Sequence, residues 1–107
     1  MVALIFATER EAAPFLEPLT TSQVNGVDFP MVVARVSADQ DPVYVAICGM
    51  GKESAGKVTT KLCSYDGVSQ ILNVGICGAL REDLHPGELY RVDQAGDGDM
   101  PAGEMVA

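Results

Sequence analysis

Short apolar runs that end at glycine-rich turns are the feature of this chain that most constrains its fold. Residues 43–48 (VYVAIC) run into Gly-Met-Gly at 49–51, and residues 71–74 (ILNV) run into Gly-Ile-Cys-Gly at 75–78. The chain also opens on such a run, VALIFA at residues 2–7. Apolar runs this short are typical of strands that are buried on both faces of a parallel sheet. We therefore predict strands whose carboxyl ends carry glycine turns, which is where open α/β sheets bind ligands.

Two helices are expected between these strands. Thr8 and Glu11 fit the capping box that begins a helix, and apolar residues follow at helical spacing. Because proline is tolerated only in the first turn of a helix, Pro14 leaves open a start later than Thr8. A second helical period covers residues 52–66, and Gly67 is a plausible stop after it.

The remaining segments predict further strands. Asn25-Gly26 is a good two-residue hairpin turn, and residues 31–37 and 43–48 read as strands with an antiparallel connection. Residues 88–93 alternate like a strand, whereas residues 94–107 read as a loop without a closing element. Strands that alternate with helices favour a three-layer α/β arrangement, with a central mixed β-sheet in a single domain over residues 1–107. Two helices cannot cover about six strands, so we expect a bare sheet face or edge.

Charge and composition exclude several classes of function. The chain has 15 acidic and 7 basic residues, a net charge of −8, which argues against binding to nucleic acid or to anionic membranes. Its apolar runs are too short for a transmembrane helix. Three cysteines without a secretion signal favour free thiols in a reducing cytoplasm. One histidine and no CxxC pair give little basis for a metal site, and we expect no cofactor.

Candidate catalytic residues are few. Glu11 follows the first strand, where a carboxylate can act as a general base on water, although the capping box alone would also explain it. GMGKES at residues 49–54 is not a phosphate-binding P-loop, because Ala46 and Glu53 replace residues that the motif requires. Cys77 with His85 is a weak candidate for a nucleophilic pair, since no third residue orients the histidine.

Three segments together resemble one family. They are ATEREAAPFLEPL at 7–19, ICGMGKESAG at 47–56 and NVGICGALREDLHPGELYRVDQA at 73–95. In this order and at these separations they are similar to signatures of the nucleoside phosphorylase and nucleosidase superfamily, in particular its methylthioadenosine/S-adenosylhomocysteine nucleosidase branch. The resemblance implies a truncated fold of the phosphorylase/hydrolase type, equivalent to the N-terminal half of such a protein.

The resemblance also implies roles for particular residues. The family cleaves the N-glycosidic bond of purine nucleosides, and Glu11 matches the glutamate that activates the attacking water. Thr8 and Met50 match residues of the nucleoside pocket. The turn that lies against base and ribose corresponds to Ile76, Cys77 and Gly78.

Departures from the family pattern narrow the expected chemistry. Asn73 and Ile76 stand where the bacterial phosphorylases have the arginine and serine that bind phosphate, and neither can make a charge-assisted phosphate contact. Hydrolysis is therefore expected rather than phosphorolysis. Because Ile76 and Thr8 also differ from the nucleosidases, the expected substrate is either a methylthioadenosine-type or a futalosine-type nucleoside.

Length is the larger departure. Family members run to roughly twice this chain, and their second half carries the acid that protonates the leaving purine. Asp97 and Asp99 do not match that acid, so the chain alone is expected to be a weak catalyst or none. The alternative is a non-catalytic nucleoside-binding or structural remnant. In either case lost helices should expose apolar surface, from which we expect a homo-oligomer.

Overall fold

The computed structural model describes residues 1–75, 82–92 and 105–106. The chain divides into two compact units, Met1–Ile76 and Cys77–Ala107, which are described separately. The first unit runs β1 (Val2–Phe6), α1 (Glu9–Leu16), β2 (Thr20–Gln23), β3 (Met31–Arg35), β4 (Val43–Ile47), α2 (Lys52–Cys63) and β5 (Gln70–Val74). In the second unit, β6 (Arg91–Val92) pairs with β7 (Met105–Val106) in antiparallel fashion.

A mixed five-stranded sheet with the order β2-β3-β4-β1-β5 forms the centre of the first unit. β1 is parallel to both β4 and β5, whereas β3 is antiparallel to both of its neighbours, β2 and β4. The register places Phe6 beside Ile47 on one side and beside Val74 on the other. The carboxyl ends of β1, β4 and β5 therefore lie at one edge of the sheet, and the predicted α/β class with a central mixed sheet is confirmed.

Each face of this sheet packs against one helix, because the side chains of a strand point alternately to opposite faces. On one face Ala3 and Ile5 pack with Val58 and Leu62 of α2. On the other face Phe6 and Val45 pack with Ala12 of α1. In the same cluster the rings of Phe6 and Phe15 have their centroids 6.2 Å apart. The unit is thus the three-layer arrangement that the alternation of elements predicted.

The predicted hairpin at Asn25-Gly26 is wrong. The antiparallel strands that this segment joins are β2 and β3, whose last pair is Gln23 with Val32, so the connection spans residues 24–30. Sequence reasoning missed β2 because all four of its residues are exposed, so it lacks the apolar alternation that marks a half-buried strand.

The helix start predicted from the capping box is confirmed, because Thr8 is the N-cap of α1 and Pro14 lies inside the helix without delaying its start. Other predicted boundaries need correction. α2 ends at Cys63 with Ser64 as its C-cap, before the stop predicted at Gly67. The strand predicted over 88–93 is reduced to β6, and the tail predicted to be unstructured contributes β7.

Neither helix of the described residues could cross a membrane, since α1 has 8 residues and α2 has 12.

Candidate functional site

Two backbone hydrogen bonds join the turn after β4 to the end of β1. The N–H of Cys48 donates to the carbonyl of Phe6 (2.9 Å), and the N–H of Gly49 donates to the carbonyl of Ala7 (3.0 Å). Gly49 and Gly51 have φ angles of 82° and 95°, which residues with a Cβ rarely adopt. Glycines are thus needed for the chain to leave β4 beside the segment that leads into α1.

Thr8 is the N-cap of α1 and contacts Glu11 twice. The backbone N–H of Glu11 donates to Oγ1 of Thr8 (3.2 Å), which satisfies one free N–H at the start of the helix. The hydroxyl of Thr8 donates in turn to Oε1 of Glu11 (3.3 Å). The reciprocal bond of a capping box normally uses the backbone N–H of the cap residue, so here the Thr8 hydroxyl takes its place.

The carboxylate of Glu11 also lies against Gly75, the first residue after β5. A Cβ placed on Gly75 would be 2.8 Å from Oε2 of Glu11, closer than such contacts occur in proteins. The side chain at the start of α1 therefore reaches the carboxyl end of β5. Glu11 is half-buried there, between the ends of two parallel strands.

A cavity of about 360 Å³ opens at this place. Its described lining consists of Phe6, Arg10, Glu11, Pro14, Val74 and Gly75. The volume lies at the lower end of the range of roughly 300–1,000 Å³ that small-molecule sites occupy. An apolar wall with one carboxylate and one guanidinium can hold a small apolar group and polarise a water beside it.

A larger cavity of about 460 Å³ lies between α1 and strands β2, β3 and β4. Its walls include Ala12, Leu16 and Val45, and it contains none of the predicted site residues. Volume alone does not identify a site. We place the candidate site at the smaller cavity because it holds Glu11 at the carboxyl ends of parallel strands, where α/β sheets bind ligands.

Of the other predicted site residues, the structure describes Met50. Met50 lies in the turn between β4 and α2, and 76% of its surface is exposed. Ile76, Cys77 and Gly78 lie outside the described residues. Among the predicted set, the structure thus brings Thr8 and Glu11 into contact.

Sequence reasoning missed the contribution of Phe6, Arg10 and Val74 to this cavity. Phe6 and Val74 are the last residues of β1 and β5, so a prediction that the two strands are neighbours would have found them. No sequence pattern indicated that Arg10 lines the cavity. Gly75 was singled out as a turn residue, but its contact with Glu11 depends on tertiary structure.

In the second unit, Tyr90 forms a small polar cluster with two neighbours. Its hydroxyl donates to Oε2 of Glu88 (2.7 Å) and accepts from the backbone N–H of His85 (3.1 Å). The bond to the Glu88 carboxylate raises the pKa of the Tyr90 phenol above its ordinary value of 10.0, and the His85 N–H partly opposes this. Across residues 1–75 and 82–92, no three His, Cys, Asp or Glu side chains group as metal ligands would.

Comparison with known proteins identifies the family. The family model described as the phosphorylase superfamily matches residues 1–105. The chain belongs to the phosphorylase superfamily. No curated protein matches it by sequence.

Solved structures agree with this family. One is the 5′-methylthioadenosine/S-adenosylhomocysteine nucleosidase of Colwellia psychrerythraea 34H in complex with adenine, with 25% identity, a TM-score of 0.69, and coverage of 78% of this chain and 34% of that one. The corresponding Helicobacter pylori nucleosidase has 21% identity, a TM-score of 0.70 and coverage of 96% and 47%. A futalosine hydrolase mutant of Helicobacter pylori has 23% identity, a TM-score of 0.60 and coverage of 96% and 48%.

The two Helicobacter pylori structures are less than 25% identical to this chain, so their likeness shows the fold alone. This member of the phosphorylase superfamily spans between a third and a half of the length of these neighbours. The resemblance stated from the sequence is confirmed in respect of the superfamily.

Proposed function

We propose that this chain carries the nucleoside-binding and water-activating part of a purine-nucleoside N-glycosidase. The observation that supports this most is the position of the Glu11 carboxylate, which is half-buried beside the carboxyl ends of β1 and β5 in a cavity of about 360 Å³. The proposed substrate is a methylthioadenosine-type or futalosine-type nucleoside. In support, the neighbours in fold include nucleosidases of both kinds, one of them in complex with adenine.

In the proposed mechanism Glu11 accepts a proton from a water molecule. The water oxygen bonds to C1′ of the ribose, the C1′–N bond to the purine breaks, and its electron pair leaves with the base. The base must then take up a proton, and no described residue is assigned to deliver it. Thr8 and Met50 are proposed to line the nucleoside pocket, together with Ile76, Cys77 and Gly78.

Without an assigned acid, the proposed reaction of this chain alone is slow. A general base contributes about 10²–10⁴-fold to a rate, whereas protonation of the leaving group is a separate contribution. Hydrolysis, rather than phosphorolysis, is proposed because Asn73 lacks the positive charge of an arginine and the side chain of Ile76 has no hydrogen-bond donor.

The test is release of base from 5′-methylthioadenosine and from futalosine, with nucleoside affinity measured by calorimetry. We expect Glu11→Gln to lower base release by at least about 100-fold, since the amide cannot take a proton from water. Glu9→Gln is the matched control, because it removes the same charge from an exposed position in the same turn of α1 and should leave release unchanged. If neither nucleoside loses its base and Glu11→Gln leaves affinity unchanged, the enzyme proposal is wrong.

A non-catalytic, self-associating nucleoside-binding protein is the alternative. One observation favours it: Leu72 of β5 is 47% exposed, as an apolar residue of a self-association surface would be. Binding of either nucleoside without any release of base, at all enzyme concentrations, would select this alternative.

We also propose that the chain forms a homo-oligomer in a reducing cytoplasm. The homo-oligomer is supported by the open side of β5, since β5 pairs with β1 alone among the described strands. The reducing cytoplasm is supported by the free thiols of Cys48 and Cys63.

A further inference from the structure

We infer that Thr8 and Gly75 are positioning residues for Glu11, and that Oε2 is the carboxylate oxygen that takes the proton from water. The inference rests on the proposed function, which it deepens by naming what holds the base in place. It also replaces the substrate-binding role proposed for Thr8 with an action through Glu11.

Thr8 occupies one oxygen of the carboxylate. Its hydroxyl donates to Oε1 of Glu11, while its own oxygen accepts the backbone N–H of the same residue. A hydroxyl has one proton to donate and two lone pairs, so both bonds can exist together. Since Oε1 accepts this hydrogen bond, the carboxylate of Glu11 is less free to rotate.

Gly75 provides the space for the other oxygen. Oε2 lies 2.8 Å from the point that a Cβ on residue 75 would occupy, so any side chain there would force the carboxylate away. Gly75 has no φ in the left-handed region, in contrast to Gly49 and Gly51. The glycine is therefore required at residue 75 for the space it leaves and not for its backbone conformation.

These two contacts distinguish Oε2 of Glu11 from Oε1. Among the described residues, none donates a hydrogen bond to Oε2, and Gly75 lines the same cavity as Glu11. A base must lie within hydrogen-bonding distance of the proton that it removes, and a displacement of about 1 Å can cost about 100-fold in rate. The size of residue 75 thus sets where the base can act.

The position of the carboxylate can be tested without any activity, by the ¹³C chemical shift of the Glu11 carboxyl carbon. Glu11→Gln identifies its signal in the spectrum of the full chain. We expect Gly75→Ala and Thr8→Val to move that signal, and Thr8→Ser to leave it in place because serine keeps the hydroxyl. Gly67→Ala is the matched control, since a Cβ there meets no atom within 4 Å. A Glu11 signal that does not move in Gly75→Ala overturns the inference.

Stability distinguishes displacement of the base from damage to the fold. The group that must move in Gly75→Ala is the end of a flexible side chain, so the melting temperature should stay within a few degrees of that of Gly67→Ala. A fall of about 4–8 °C or more, which corresponds to a substantial loss of stability in a domain of this size, would show structural damage and contradict the inference.

Base release provides the second measurement. For Thr8→Val and Gly75→Ala we expect kcat to fall about 100-fold with KM unchanged, and Thr8→Ser to restore kcat. A rise in KM with kcat unchanged would mean that Thr8 binds substrate and would overturn its positioning role. If the unaltered chain releases no base but the carboxyl signal moves as expected, the placement of Glu11 holds and the proposed function fails.

Discussion

Glu11 can combine two roles that the sequence presented as alternatives. Its backbone N–H completes the N-cap with Thr8, while its carboxylate reaches the cavity at the end of β5. Because capping uses the main chain and catalysis would use the side chain, the two roles are compatible in one residue. The catalytic role stays a prediction.

Tyr90 supports a prediction about pH. Its folded-state pKa is raised, chiefly by the hydrogen bond to Glu88, so the cluster stabilises the neutral phenol. That stabilisation is fully present below pH 10.0 and is lost as the pH rises through the higher, folded-state value. We expect Glu88→Ala to lower the pKa of Tyr90 towards 10.0, as followed by the NMR signals of its ring. A Tyr90 pKa that is equal in both proteins would contradict the contact.

At the scale of elements, the strands that contain apolar runs were predictable and the polar strand β2 was not. The run in β5 identified it as a strand, but the expectation that it is buried on both faces is wrong, since three of its five residues are exposed. β1, β4 and β5 are marked by short apolar runs before turns, and α2 by a helical period. β2 has no such pattern, because its side chains are exposed. It is a strand through its hydrogen bonds to β3. Apolar patterning is the sequence signal for a strand, so a strand made only of polar residues is missed.

α1 contains an interior proline, which destabilises the helix. Pro14 is the sixth residue of the helix, where it lacks the N–H that would bond to the carbonyl of Arg10. Relative to alanine, an interior proline costs about 3 kcal/mol, partly offset by about 0.4–1 kcal/mol from a less flexible unfolded chain. We expect Pro14→Ala to raise the free energy of unfolding in urea by about 1–3 kcal/mol.

Pro18→Ala is the matched control for this prediction. Pro18 lies in the turn after α1, so its replacement changes the unfolded chain without repairing a helix. It should produce no gain in the free energy of unfolding. An equal gain from both variants would mean that the helical position of Pro14 is not the cause.

At the scale of the whole molecule, the neighbours in fold are longer than this chain, which covers 34–48% of the three described above. Among the described strands β5 is paired on one side, and β2 lies at the opposite end of the sheet. The prediction of a single domain over residues 1–107 stays a prediction, and so does the homo-oligomer.

The side of β5 that carries no described partner leads to a prediction about association. Lysine on an edge strand opposes edge-to-edge pairing, because it brings a charge into the new contact. We expect Leu72→Lys to shift the chain towards monomer in light scattering over a dilution series. Val36→Lys, at a residue that is 59% exposed just after β3, is the control and should leave the mass unchanged. A single monomer mass for the unaltered chain at all concentrations would contradict the homo-oligomer.

The amino-acid sequence by itself determined the α/β class, the strands that precede the glycine turns, and the local pairing of Thr8 with Glu11. These follow from spacing within a few residues, where the periods of helix and strand decide which side chains share a face. Only the tertiary structure decided that β5 lies beside β1 and that Gly75 meets the Glu11 carboxylate. That contact joins residues far apart in the chain, and which strands become neighbours depends on how the whole sheet packs its faces against two helices.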